Sequence, residues 1–127
     1  MRYLLDTHTL IWYLEDDSRL SISAKLAIEN DQNEILATIA SFWEMAIKVN
    51  LGKLTLKIPL DEMFERLDDM DLRVINIQAT HIKIIQSLPN HHRDPFDRMI
   101  IAQADAEKCI IISIDDAFDA YSTSVLW

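Results

Sequence analysis

Short apolar runs alternate with helical stripes along this chain. Arg2-Tyr3-Leu4-Leu5 is a run halted by Asp6, as in a buried strand, and Thr7 to Leu14 then spaces Leu10, Ile11 and Leu14 as a helix does, with Trp12 among them. Asp16-Asp17-Ser18 breaks that helix. Ser21 or Ser23 is placed to cap a second, which carries Leu26 and Ala27 towards Asn30-Asp31. Ile35 to Ile39 reads as the second strand. Ser41 is the expected cap of a helix through Trp43, Ala46, Ile47 and Val49 that Gly52 ends. Lys53 to Ile58 alternates at Leu54, Leu56 and Ile58, which predicts a short extended piece closed by Pro59. Asp61 opens an amphipathic helix with Met63, Phe64, Leu67 and Met70.

Leu72 to Ile77 is the third strand, and Ala79 to Leu88 is helical with His81, Ile82, Ile84, Ile85 and Leu88. A polar loop, Pro89-Asn90-His91-His92-Arg93, leads into the strongest helix start of the chain. There Asp94 is a good N-cap, Pro95 suits the first helical position, and Asp97 stands where a carboxylate meets the positive helix end. Ile100, Ile101, Ala104 and Lys108 follow Asp97 at helical spacings, so Asp97 lies on or beside the stripe facing the core. Ile110 to Ile114 is the fourth strand, Ala117 to Tyr121 a helical turn, and Ser124 to Trp127 a terminal strand. Apolar strands alternating with helices predict an α/β fold whose parallel sheet is covered on both faces. With no internal repeat or linker, residues 1–127 read as one domain.

Composition narrows the class. Of 127 residues half are hydrophobic, with one glycine and three prolines, which is the profile of a helix-rich globular chain. The single Cys109 lies in an apolar run and reads as a small core residue of a reducing compartment. Asp6 interrupts the first apolar run before any signal-peptide pattern, and no stretch reaches membrane-spanning length, so a cytoplasmic location without membrane association is expected. The net charge of −9 argues against a generic nucleic-acid coat. It leaves open an enzyme that meets phosphate through metal ions.

Four carboxylates then stand out. Asp6 and Asp115 follow strands; Glu44 stands three residues after Ser41, and Asp97 three after Asp94. Singly, each reads as a helix cap. Together they read differently, because a parallel sheet delivers all its carboxyl ends to one edge, where such folds build their sites. Two unit charges at 4 Å repel by about 4 kcal/mol at an effective dielectric near 20. Converging acids therefore call for a counterion, and oxygen-only ligands suit Mg²⁺ or Mn²⁺.

Leu4-Leu5-Asp6-Thr7-His8, Ser41-x-x-Glu44, Asp94-Pro95-Phe96-Asp97-Arg98 before Met99-Ile100-Ile101-Ala102-Gln103-Ala104, and Ser113-x-Asp115 with Phe118 together resemble the PIN-domain ribonucleases, in particular the VapC-like toxins of bacterial type II toxin–antitoxin systems. The resemblance spans nearly the whole chain through the order and spacing of its motifs. It implies a three-layer α/β/α fold with a mainly parallel sheet of four to five strands, and an Mg²⁺- or Mn²⁺-dependent endoribonuclease. It matches Asp6, Glu44 and Asp97 to the family's metal-binding and catalytic acids, Asp115 to a fourth, more variable acid, and Ser113 to a supporting hydroxyl. Asp94 is an acid special to this branch, for which a cap role comes first. Thr7 and Arg98 complete the supporting set. A toxin of this kind implies an RNA substrate, a cognate antitoxin and a homodimer.

Other residues carry paired readings. Lys48 is four residues after Glu44, as in a helix ion pair, with phosphate contact the alternative. Arg93, Arg98, His91 and His92 surround the Asp94 loop and are either phosphate contacts or solvated rim. Trp12 and Trp43 read as core or interface anchors; base stacking would need them exposed beside the acids. His8 has no assigned role. Two rival functions remain: a PIN-like module kept only for binding, and a signalling receiver-type domain. The latter wants an acid after the third strand, where this chain has Asn76-Ile77-Gln78.

Overall fold

The computed structural model describes residues 1–121 and 123–127. Its centre is a parallel five-stranded sheet of order β3-β2-β1-β4-β5, with β1 at Arg2–Leu5, β2 at Glu34–Thr38, β3 at Leu72–Ile75, β4 at Ile110–Ile112 and β5 at Val125–Leu126. Six α-helices among the described residues connect them: α1 (Thr7–Leu14), α2 (Ile22–Glu29), α3 (Ile39–Asn50), α4 (Leu60–Leu67), α5 (Ala79–Gln86) and α6 (Pro95–Glu107). A 3₁₀ turn, Asp116–Ala120, lies between β4 and β5.

The period-two geometry of strands explains the three layers. Leu4, Leu36 and Ile111 are neighbours across the sheet and face one side, where Ile100, Ile101 and Ala104 of α6 and Phe118 cover them. Leu5, Ala37 and Ile112 face the other side, against Leu10 and Leu14 of α1, Phe42 and Met45 of α3, and Met63 of α4. Cys109 is buried in the first of these layers, as expected. The expected three-layer α/β/α architecture is what the chain adopts, with five strands, all parallel.

Strand order creates the site. From β1 the chain moves outward to β2 and β3, then returns to the other flank of β1 as β4. The order therefore reverses at the carboxyl ends of β1 and β4, the switch point where open parallel sheets leave a crevice. Asp6 directly follows β1, and Ser113 and Asp115 follow β4.

Several local expectations need correction. The cap of α3 is Thr38, whose hydroxyl accepts the Ala40 N–H at 3.2 Å; Ser41 lies inside the first turn, because the chain turns helical as soon as it leaves β2. Gly52 does end this helix: at φ +71° it lets the Lys53 and Gly52 N–H groups return to the Lys48 and Val49 carbonyls. Lys53 to Ile58 forms no strand. Leu54, Leu56 and Ile58 instead anchor a loop on the core, with the Lys57 and Ile58 N–H groups donating to the Glu15 carboxylate. Helix α4 begins at Leu60 after a Pro59 cap, which leaves Asp61 within its first turn. Lys108 lies beyond α6 in a left-handed conformation (φ 58°) that closes the helix. Leu26 is on the exposed side of α2, where Ala24 and Ile28 are the buried residues.

Candidate active site

Asp6 has extended backbone, and its Oδ1 accepts the Thr9 N–H at 2.8 Å, so it does cap α1. Its other oxygen is committed elsewhere: Oδ2 accepts from the Ser113 hydroxyl at 2.5 Å. Ser113 Oγ also accepts the Asp115 N–H at 2.9 Å, so one hydroxyl ties the ends of β1 and β4 together. Burial pushes the Asp6 carboxyl above its ordinary range, against the pull of its hydrogen bonds to Ser113 and Thr9. A cap and an inward acid are thus the same residue.

Glu44 belongs to no capping box. It sits in the second turn of α3 on the buried side, 3% exposed. The buried Thr7 hydroxyl donates to its Oε1 at 2.6 Å and lies 3.0 Å from Ser41 Oγ, while Lys48 Nζ reaches Oε2 at 2.6 Å. The expected i,i+4 ion pair exists, with its acid buried and its ammonium partly exposed. The hydrogen bond to Glu44 raises the Lys48 pKa against the cost of burial, and the charges of Glu44, Asp94 and Asp97 add to the rise.

Asp94 caps α6, accepting the Phe96 and Asp97 N–H groups at 2.8 and 3.1 Å. Asp97 is thereby freed from capping and faces the crevice. Its pKa is pushed up to about 7, first by burial and then by the charges of Asp94, Glu44, Asp6 and Asp115. Every candidate acid therefore acts on Asp97, which puts all of them in one field. Asp115 Oδ1 caps the 3₁₀ turn through the Ala117 N–H. Its Oδ2 lies 4.0 Å from His92 Nε2, which is itself 2.9 Å from Asp97 Oδ2.

Arg98 plays a different part from the phosphate contact considered above. Its guanidinium donates to the carbonyls of Leu88, Pro89 and His92, bracing the loop before α6. The exposed Arg93 makes no side-chain ion pair among the described residues. Trp12 is a core anchor, edge-on to Trp127 at 5.7 Å. Trp43 is not: it is 58% exposed and meets Phe96 edge-on at 5.1 Å. These two rings, with Ile77 and Ile85, line an open groove of about 340 Å³ that also takes in Arg93 and Arg98. Trp43 and Phe96 stand on the same two helices as Glu44 and Asp97, but none of the four acids is among the residues that line this groove.

The chemistry of these donors fits a hard divalent cation. Asp6 and Glu44 are buried, Asp97 is partly buried and Asp115 is more open, and the charges of the other three all raise the Asp97 pKa, a repulsion that a cation relieves. His92 Nε2 adds a second sign, since it is buried without a hydrogen bond. Sequence reasoning leaves His92 as either a phosphate contact or a solvated rim residue, and nothing in its spacing to the acids distinguishes it from His91.

The PIN domain family profile matches residues 3–123, and the chain belongs to this family. It is 31% identical over 105 residues to Ribonuclease VapC22 of Mycobacterium tuberculosis, covering 80% of this chain and 77% of that protein. Among solved structures it resembles a chain of VapBC2 from Rickettsia felis, bound there to a DNA fragment from the promoter (TM-score 0.70, 17% identity, 99% of this chain and 98% of that one). It also resembles a chain of VapBC-1 from nontypeable Haemophilus influenzae (0.68, 18%, 99% and 97%) and one of a toxin–antitoxin complex from Klebsiella pneumoniae (0.64, 22%, 98% and 96%). Family membership sets aside the receiver-type alternative. No described helix is long and apolar enough to cross a membrane.

Proposed function

We propose that this chain, acting as one nuclease unit, is a divalent-metal-dependent endoribonuclease and the toxin of a toxin–antitoxin pair. The observation that carries the reading is the placement of acids at the sheet's switch point, where Ser113 joins Asp6 to Asp115 and where burial and the charges of Asp94, Glu44, Asp6 and Asp115 push the Asp97 pKa up to about 7. The name of its ribonuclease relative agrees with that chemistry. Asp6, Glu44, Asp97 and Asp115 are the residues that would hold Mg²⁺ or Mn²⁺. Such an ion, when bound, lowers the pKa of water and stabilises charge developing on a phosphodiester.

The protein's own contribution is to hold the acids in place. Ser113 and the Thr9 N–H fix both oxygens of Asp6, while Thr7 and Lys48 fix those of Glu44. Asp94 bears the helix cap so that Asp97 stays available. Trp43 and Phe96, on the helices that carry Glu44 and Asp97, offer an apolar wall for an RNA base, and Arg93 in the same groove offers a charge for a phosphate. A family-like cut leaves a 5′-phosphate and a 3′-hydroxyl.

The test is incubation of purified protein with small RNA in Mn²⁺ or in EDTA, with the product ends mapped. Discrete cuts bearing 5′-phosphate, present with metal and lost with EDTA, are expected. Folded, partner-free protein that cuts nothing in metal would put a binding-only PIN module in its place.

The toxin role has separate support. Helix α3 exposes Trp43 and Ile47, continued by Leu51 just past its end at the same spacing of four, and α2 exposes Ile22 and Leu26. These apolar stripes suit protein partners, an antitoxin or a second copy, and cover near the acids would also block RNA. Expression of the chain alone in a bacterial host is expected to arrest growth, and co-expression of its cognate antitoxin to restore it. Indifference of the cells would remove the toxin role while leaving the nuclease intact.

A further inference from the structure

We propose that His92 is itself a ligand of the divalent ion, adding one imidazole nitrogen to a donor set otherwise made of carboxylate oxygens. The inference rests on the reading of the acids as a metal site.

Its basis is geometric. His92 Nε2, Asp97 and Asp115 each offer a donor atom, and these atoms lie within 4.8 Å of one another. His92 Nε2 is 2.9 Å from Asp97 Oδ2 and 4.0 Å from Asp115 Oδ2. Donor atoms this close would be within reach of a single divalent ion with bonds of about 2.1 Å. Nε2 is also buried and makes no hydrogen bond, even though an Asp97 oxygen is so near. A buried ring nitrogen without a partner is costly unless something else engages it.

The ring is held where this role needs it. Its backbone carbonyl accepts from Arg98 Nη1 at 3.2 Å, and the same guanidinium grips Leu88 and Pro89, so α6 fixes the loop that presents the imidazole. Phe118 flanks the ring at 6.2 Å. On the far side, the Asp94 N–H approaches Nδ1 at 3.5 Å, the outer limit of a hydrogen bond. Coordination through Nε2 places the proton on Nδ1, and the contact given up is weak. Arg98 thus becomes a positioning residue for His92.

A nitrogen ligand changes which ion the site prefers. Mg²⁺ demands hard oxygen ligands and keeps its waters, whereas imidazole favours transition-metal ions. His92→Gln should therefore weaken Mn²⁺ binding about tenfold, with a smaller change for Mg²⁺.

The deciding experiment is pulsed EPR on the full chain loaded with Mn²⁺ alone, alongside an RNA-cleavage assay of the same preparations. The expected result is a ¹⁴N coupling in the wild type that persists in His8→Gln and His91→Gln and vanishes in His92→Gln. Bound Mn²⁺ without ¹⁴N coupling in the wild type overturns the inference even if His92→Gln fails to fold, and continued cleavage then leaves the carboxylate site standing. A coupling that survives in folded His92→Gln overturns it too. Wild type that neither binds Mn²⁺ nor cleaves RNA overturns the inference together with the reading beneath it.

Discussion

Replacing Asp97 with Asn is expected to lower metal-dependent RNA cleavage by about a thousandfold or more, while the protein stays folded. The substitution keeps the shape of the side chain and removes its charge. It acts at the centre of the acidic field, because Asp94, Glu44, Asp6 and Asp115 all raise the Asp97 carboxyl. A neutral amide is a poorer partner for a dication, and losing one electrostatic group from an active site commonly costs about 10²–10³ in rate; here a metal anchor is weakened as well, so the larger figure applies. Folding is protected because the α6 cap rests on Asp94, and Asp97 contributes only its backbone N–H to that cap. Initial rates in Mn²⁺, with far-UV circular dichroism of both proteins, check this. An Asn variant within tenfold of wild type would sink the assignment of Asp97.

Much of this site is legible in the sequence for a simple reason. Strand ends are marked by where apolar runs stop, and a parallel sheet sends those ends to one edge. Asp6 after Leu5 and Asp115 after Ile114 can be placed at one edge without knowing any contact. Glu44 stands out as a candidate even when the cap is misplaced: Thr38 and Ser41 are both hydroxyl residues near the helix start, and only the exit point of β2 chooses between them. The exposed side of α3 was beyond sequence. Its turns carry apolar residues on two sides, and periodicity cannot say that Phe42 and Met45 face the sheet while Trp43 and Ile47 face outward. The alternation of Leu54, Leu56 and Ile58 misled in the same way, since a loop tacked onto a core can share the period of a strand. Thr7 against Glu44, Ser113 between two acids and His92 beside Asp97 are contacts across 37, 107 and 5 residues. No local pattern encodes the two long ones, and the short one depends on how Arg98 folds its loop.

The same Asp97→Asn change should make the metal-free protein more stable at neutral and alkaline pH. The folded Asp97 carboxyl titrates at about 7, against 3.8 for the free group, so between these values the folded state holds a proton that the unfolded state has released. Stability is then lost as pH rises through that window, and the penalty is complete above pH 7. The full linkage corresponds to about 4 kcal/mol; partial contact of the carboxylate with water reduces it to about 2 kcal/mol. Asn carries no such penalty, so at pH 8 in EDTA its melting temperature should exceed that of wild type by roughly 5–10 °C. The gap should shrink to under half by about pH 5, where wild-type Asp97 is protonated in the folded state. A divalent ion acts in the opposite sense: at a hundredfold its Kd it adds about 2.7 kcal/mol to the protein that binds it, which is the wild type. Melting curves at pH 5 and pH 8, with EDTA and with Mn²⁺, therefore separate two roles for this acid. A variant that melts below wild type in EDTA at pH 8 would show Asp97 to be a structural group. One that melts above it, and loses the lead when Mn²⁺ is added, would show a carboxylate kept at a cost to the fold because the metal needs it.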